Sequence, residues 1–131
     1  MQLSVQIDSA PLEQRPHSPH AEGTAGAFVE FAGIVRNTEN GLPLEGLIYE
    51  SYTPMAAREI HRISRDLNEQ YPIASLDFHH RIGFVKAGET SLFLRVRSER
   101  RINAIRFLEH FIDLLKRDVP IWKDPVFPGA R

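Results

Sequence analysis

The chain is 131 residues long, 42% hydrophobic and 25% charged, which fits one globular domain over 1–131 and excludes disorder of the whole chain. It contains no cysteine, which excludes a disulfide scaffold, a thiolate zinc site and a cysteine nucleophile. Its 16 Lys and Arg against 17 Asp and Glu give a net charge of −1, without the basic excess of a non-specific nucleic-acid binder. No apolar run approaches the roughly 20 residues of a membrane span. Met1 to Ala10 lacks the basic-then-apolar layout of a secretory leader. The expectation is a cytoplasmic protein that meets neither membrane nor nucleic acid.

Leu3, Val5 and Ile7 alternate with polar residues, so 2–7 reads as an opening strand. A proline-rich loop follows, with a short helical turn over Leu12–Arg15. His17 and His20 stand in it without ligand-spaced carboxylates and read as solvated rather than metal-bound. Gly26 to Val35 (GAFVEFAGIV) is a β-rich run ending at Arg36-Asn37. Asn40-Gly41 within NTENGLP is a hairpin signal, and Leu44–Tyr52 reads as the returning strand, paired antiparallel with the run before it. Thr53-Pro54 opens a helix, with Thr53 as N-cap and Pro54 in the first turn. Ala56, Ile60, Ile63 and Leu67 form its apolar stripe, and Tyr71-Pro72 ends it.

Residues 74–82 read as a further strand and Gly83–Gly88 as a turn. Thr90–Arg97 then alternates, with Leu92, Leu94 and Val96 on one face and Arg95 and Arg97 on the other. Ser98 is the expected N-cap of a second helix whose stripe is Ile102, Ile105, Leu108, Ile112 and Leu115, supported by Phe111. Val119–Lys123 looks extended, with Trp122 anchoring it by burial, and 124–131 reads as an irregular tail. The order predicts an α+β fold, two helices covering one face of a mainly antiparallel sheet.

No phosphate loop, HExxH motif or serine elbow is present. The residues left to carry chemistry are cations at element ends. Arg100 and Arg101 sit in the first turn of the second helix, where each opposes the macrodipole by about 0.3–1 kcal/mol. They are either exposed arginines or an anion site, in which a bound phosphate would reverse that cost. Lys116 and Arg117 lie in the last turn, where cations suit the dipole. Lys123 either faces solvent or, partly buried near arginines, has a lowered pKa that suits proton exchange. Of His79 and His80, alternation turns one inward as a hydrogen-bonded core residue, and no carboxylate partner for it is evident. An RNA-binding face using Arg95, Arg97, Arg100 and Arg101 is disfavoured, because no aromatic stacking platform interleaves it.

Four motifs nevertheless stand in a telling order: FAGIVRN (Phe31–Asn37), YESYTPMA (Tyr49–Ala56), HRIGFVKAGE (His80–Glu89) and LLKRDVPIWK (Leu114–Lys123). Over residues 26–123 the chain resembles the MoaE family, the large catalytic subunit of molybdopterin synthase. The resemblance implies an α/β hammerhead-like fold with a small antiparallel subdomain. It implies a homodimer within a heterotetramer, whose other component is a small ubiquitin-like, MoaD-like subunit. The Gly-Gly tail of that subunit, ending in a thiocarboxylate, delivers sulfur to cyclic pyranopterin monophosphate and so forms the molybdopterin dithiolene. No metal or other cofactor is implied for this step.

Carried over by motif, Lys116 and Lys123 take the catalytic lysine positions. Substrate contacts are implied for Ile34, Val35, Arg36, Arg100, Arg101, Lys116, Lys123, Asp124 and Pro125. Lys116 is the leading candidate for proton transfer, and Lys123 for binding and oxyanion stabilisation. Two departures qualify this. Arg100 stands where the family has a histidine, and Asp124-Pro125 follows Lys123 where another basic residue is common, with eight residues left in which to supply contacts from the tail. They motivate an alternative, a non-catalytic homologue that dimerises and binds a ubiquitin-like partner.

Overall fold

The computed structural model describes residues 1–12 and 25–129. Beyond Leu12, the turn expected over Leu12–Arg15 lies outside the described residues, as do His17 and His20. The elements are β1 (Gln2–Asp8), β2 (Ala27–Ile34), β3 (Thr38–Glu39), β4 (Leu42–Pro43), β5 (Gly46–Ser51), α1 (Thr53–Gln70), β6 (Ser75–Arg81), β7 (Gly83–Lys86), β8 (Thr90–Ser98), α2 (Arg101–Asp118) and β9 (Ile121–Val126).

A four-stranded sheet runs β1-β6-β8-β2. β1 lies parallel to β6, and the other neighbours are antiparallel. Alternation gives this sheet one apolar face, and both helices pack on it. Ala56, Ile60, Ile63 and Leu67 of α1 meet Leu76 and Phe78 of β6, Leu92, Leu94 and Val96 of β8, and Ala104, Phe107, Phe111 and Leu115 of α2. The expected α1 stripe is thus fully buried. Each such side chain contributes roughly 1.5–3 kcal/mol of transfer free energy.

The α2 stripe differs from expectation. Ile102 and Ile105 are about half exposed, at 50% and 47%. The row 104-107-111-115 and the row 105-108-112 both have helical spacing, about 100° apart. The sheet takes the row bearing two phenylalanines, which fill more volume, and Leu108 and Ile112 are left at its margin.

Other departures concern strand partners and caps. Leu44–Tyr52 does not return along β2. Its strand β5 is the centre of a separate antiparallel sheet, β7-β5-β9, and β2 pairs with β8 instead. Asn40-Gly41 does form a hairpin, of two-residue strands β3 and β4. Both residues have positive φ, 51° and 78°, as a type I′ turn requires. The segment read as a turn over Gly83–Gly88 begins as β7. The tail read as irregular continues β9 through Pro125, and β9 is an edge strand, where a missing N–H is tolerated. Tyr52, not Thr53, is the N-cap of α1. Arg100 with extended backbone, not Ser98, is the N-cap of α2, and the Ser98 hydroxyl, two residues earlier, donates to the Arg100 carbonyl.

A small second core of Val35, Leu44, Leu47 and Val85 fixes the three-stranded sheet. Gly46 is required there: a Cβ would collide with the Val85 carbonyl oxygen and lie 2.7 Å from the Phe84 ring. Among the described residues no helix is long and apolar enough to cross a membrane.

Candidate active site

The two sheets meet beside the C-terminal end of α2 and leave a cleft of about 460 Å³ there. Three local features shape it. The register of β2 on β8 shifts between Gly33 and Ile34, a bulge that turns the end of β2 towards the cleft and leaves Ile34 58% exposed at its rim. In the β5–β9 ladder Tyr49 lies opposite Lys123, so both side chains rise from the same face. The last turn of α2 brings Leu115 beneath the cleft and Lys116 to its edge. The cleft is thus lined by β2, β5, β6, β8, α2 and β9, elements far apart along the chain.

A narrower cleft of about 130 Å³ adjoins it, lined by Val35, Arg36 and Glu39 among others, and the two share Ile34, Tyr49 and Lys123. Ile34, Val35, Arg36, Lys116 and Lys123 therefore come together in one chain. Arg36, Lys116 and Lys123 are all exposed, so the partial burial considered for Lys123 is not found. Trp122 does not anchor its segment by burial either. It is 58% exposed, because alternation along β9 turns it away from the face that carries Lys123.

Four of the expected contacts lie elsewhere. Arg100 and Arg101 are exposed at the opposite end of α2, about 22 Å from Lys116 by helical rise. Asp124 sits on the opposite face of β9 from Lys123, and neither Asp124 nor Pro125 lines either cleft. The first turn of α2 carries no acidic residue and its N-cap no side-chain hydrogen bond.

Three further polar residues line the cleft: Tyr49 and Ser91, which were not singled out from sequence, and His80, one of the pair of which sequence offers only a hydrogen-bonded place in the core. The Tyr49 hydroxyl donates to Ser91 Oγ at 3.2 Å, and Ser91 Oγ donates to the Gly33 carbonyl at 3.3 Å. His80 closes the inner wall, 6% exposed, with the Tyr49 ring edge-on at 4.8 Å between centroids. Its Nδ1 donates to the Arg81 carbonyl at 2.6 Å. Burial pushes the His80 pKa below the usual imidazole range, the Arg81 carbonyl opposes this and the neighbouring His79 adds to it. Both Tyr49 and His80 fall within quoted motifs, but alternation reports only the face a strand residue takes.

His79 and His80 are both buried, on opposite faces of β6. His79 does have a carboxylate partner: its Nε2 lies 2.8 Å from Asp8 Oδ1, 71 residues away in sequence. Among the described residues no group of three or more His, Asp or Glu is placed to hold a metal ion.

The fold and cleft define an α+β protein that turns converging cations and a neutral imidazole towards one small concave site. The sequence profile of the MoaE protein family matches residues 5–118, and the chain belongs to that family. The human molybdopterin synthase catalytic subunit is 35% identical over 102 residues, 78% of this chain and 54% of that protein, so the chain spans about half that relative's length. The crystal structure of molybdopterin synthase from Staphylococcus aureus superposes with a TM-score of 0.82 at 30% identity, covering 95% of this chain and 92% of that one. A complex of subunits 1 and 2 of the molybdopterin-converting factor from Helicobacter pylori shares the fold, with a TM-score of 0.69 at 22% identity over 98% and 91% of the chains.

Proposed function

We propose that the chain is the catalytic subunit of a molybdopterin synthase and works in the cytoplasm. It transfers sulfur from the thiocarboxylated Gly-Gly tail of a small ubiquitin-like subunit to cyclic pyranopterin monophosphate, which yields the molybdopterin dithiolene. The observation that carries this reading is that Lys116 and Lys123, from two elements, line one cleft that adjoins Arg36. An anionic heterocycle needs such a cradle, and a guanidinium fork suits its cyclic phosphate. In this reading Lys116 donates a proton to the substrate, while Lys123 binds it and stabilises the oxyanion that develops on the tail's acyl carbon. The narrow adjoining cleft suits a tail without side chains, and the small subunit named with a related fold in the Helicobacter pylori complex is the kind of partner that would supply it.

Arg100 and Arg101 enter this reading through a homodimer. The helix end that carries them lies too far from Lys116 within one chain, so a second copy delivers them, within a heterotetramer. Asp124 and Pro125 then act only by shaping β9. The test is reconstitution with the thiocarboxylated small subunit and cyclic pyranopterin monophosphate, followed by mass detection of the dithiolene. Product formed by the wild type and reduced at least about 100-fold by Lys116→Ala supports the reading. Binding of the small subunit without any product supports the non-catalytic homologue, which Arg100 in the family's histidine position favours.

A further inference from the structure

We infer that His80 is the proton acceptor that lets water release the transferred sulfur from the small subunit's acyl tail. This rests on the sulfur-transfer reading above and assigns a residue to a step that its lysines do not serve. Once a thiocarboxylate sulfur has bonded to a substrate carbon, the sulfur is still joined to the tail as a thioester. Freeing it requires cleavage of the acyl C–S bond by an acceptor, and water suffices. The water oxygen bonds to the acyl carbon and a water proton goes to a base. The C–S bond then breaks, with its electron pair leaving on sulfur. The tail departs as a carboxylate, and the protonated base gives its proton to the sulfur or to solvent. No oxidant or reductant takes part.

An ammonium group has donors only, so a protonated Lys116 or Lys123 cannot serve as that base. His80 has the required form. A carbonyl oxygen only accepts, so the 2.6 Å contact with the Arg81 carbonyl places the ring proton on Nδ1 and leaves the lone pair on Nε2. Among the described residues that Nε2 has no hydrogen-bond partner, and His80 lines the same cleft as both lysines. Tyr49 fixes the ring from one side and cannot occupy the lone pair with its own proton, which is given to Ser91. The titratable and charged groups around the imidazole are Tyr49 on β5, His79 and Arg81 on β6, Lys116 on α2 and Lys123 on β9. Burial, and to a lesser extent the neighbouring His79, favours the neutral ring, against the opposing hydrogen bond to the Arg81 carbonyl.

The test is a single-turnover reaction of the full chain with thiocarboxylated small subunit and cyclic pyranopterin monophosphate, followed by intact-mass spectrometry. His80→Asn keeps an N–H for the Arg81 carbonyl and brings no basic nitrogen to the cleft, and its thermal melt is recorded alongside. The expected result is that wild type forms product, while His80→Asn forms it at least about 100-fold more slowly and accumulates a covalent adduct of the small subunit with the pterin. In wild type the release step should also slow in acid, with its onset below the ordinary imidazole range, because burial lowers the pKa of the folded His80. A folded His80→Asn that matches wild type, or that slows without accumulating adduct, overturns the inference and leaves the sulfur-transfer reading standing. A wild type that forms no product overturns that reading, and this inference with it.

Discussion

Replacing Phe111 with alanine tests which of the two apolar rows of α2 holds the helix on the sheet, and therefore what keeps Lys116 at the cleft. Phe111 is fully buried. Its ring stacks on Phe107 at 5.9 Å and meets Phe78 edge-on at 6.1 Å. Truncating a buried phenylalanine costs about 3–5 kcal/mol, and two lost aromatic contacts place this site in the upper half of that range. A domain of ordinary stability has about 5–15 kcal/mol in total. With an m-value of about 2 kcal/mol/M in urea, the midpoint should fall by about 2 M. Ile105→Ala is the control. Ile105 belongs to the other row and is 47% exposed. It should cost under about 1 kcal/mol, since a half-exposed side chain gives up little burial and alanine is the better helix former. Urea titrations followed by far-UV circular dichroism read both variants. Equal losses would refute the assignment of the helix face, and with it the route by which packing positions Lys116.

Other outcomes follow from single contacts. Gly46→Ala should destabilise by about 1–3 kcal/mol in the same titration, because the added methyl meets the backbone of β7 rather than a side chain that can swing away. The lowered pKa of His80 gives stability a definite pH dependence. Above about pH 6.5 folded and unfolded chains both hold the ring neutral, whereas below it the unfolded chain takes up the proton first, so stability declines with acid until the folded-state pKa is passed. Melting curves over pH 4–8 should show that decline, and His80→Asn should make it shallower.

What the sequence made legible was local. The 56-60-63-67 spacing, the Asn40-Gly41 turn and the alternation of Leu92, Leu94 and Val96 each follow from period and turn chemistry, and each is present as read. Strand partners were not legible. β2 and β5 are consecutive long strands, yet each completes a different sheet, because partner choice follows from distant burial such as the Val35, Leu44, Leu47 and Val85 core. β9 was hidden by Pro125, which an edge position tolerates. The site divides the same way. Arg36, Lys116 and Lys123 stand out as cations at element ends, whereas His80 and Tyr49 look like ordinary strand residues until β5, β6 and β9 are brought side by side. The Asp8–His79 pair, 71 residues apart, leaves no local trace at all.

The central claim is that cations from separate elements converge to hold one anionic heterocycle. Equilibrium titration of cyclic pyranopterin monophosphate into the wild type and into Lys116→Ala/Lys123→Ala, at 50 and 200 mM salt, addresses it directly. Convergence predicts saturable binding that weakens with salt and falls at least about tenfold, a loss of about 1.4 kcal/mol or more, when both lysines are removed. Wild-type affinity retained by a folded double variant would contradict it.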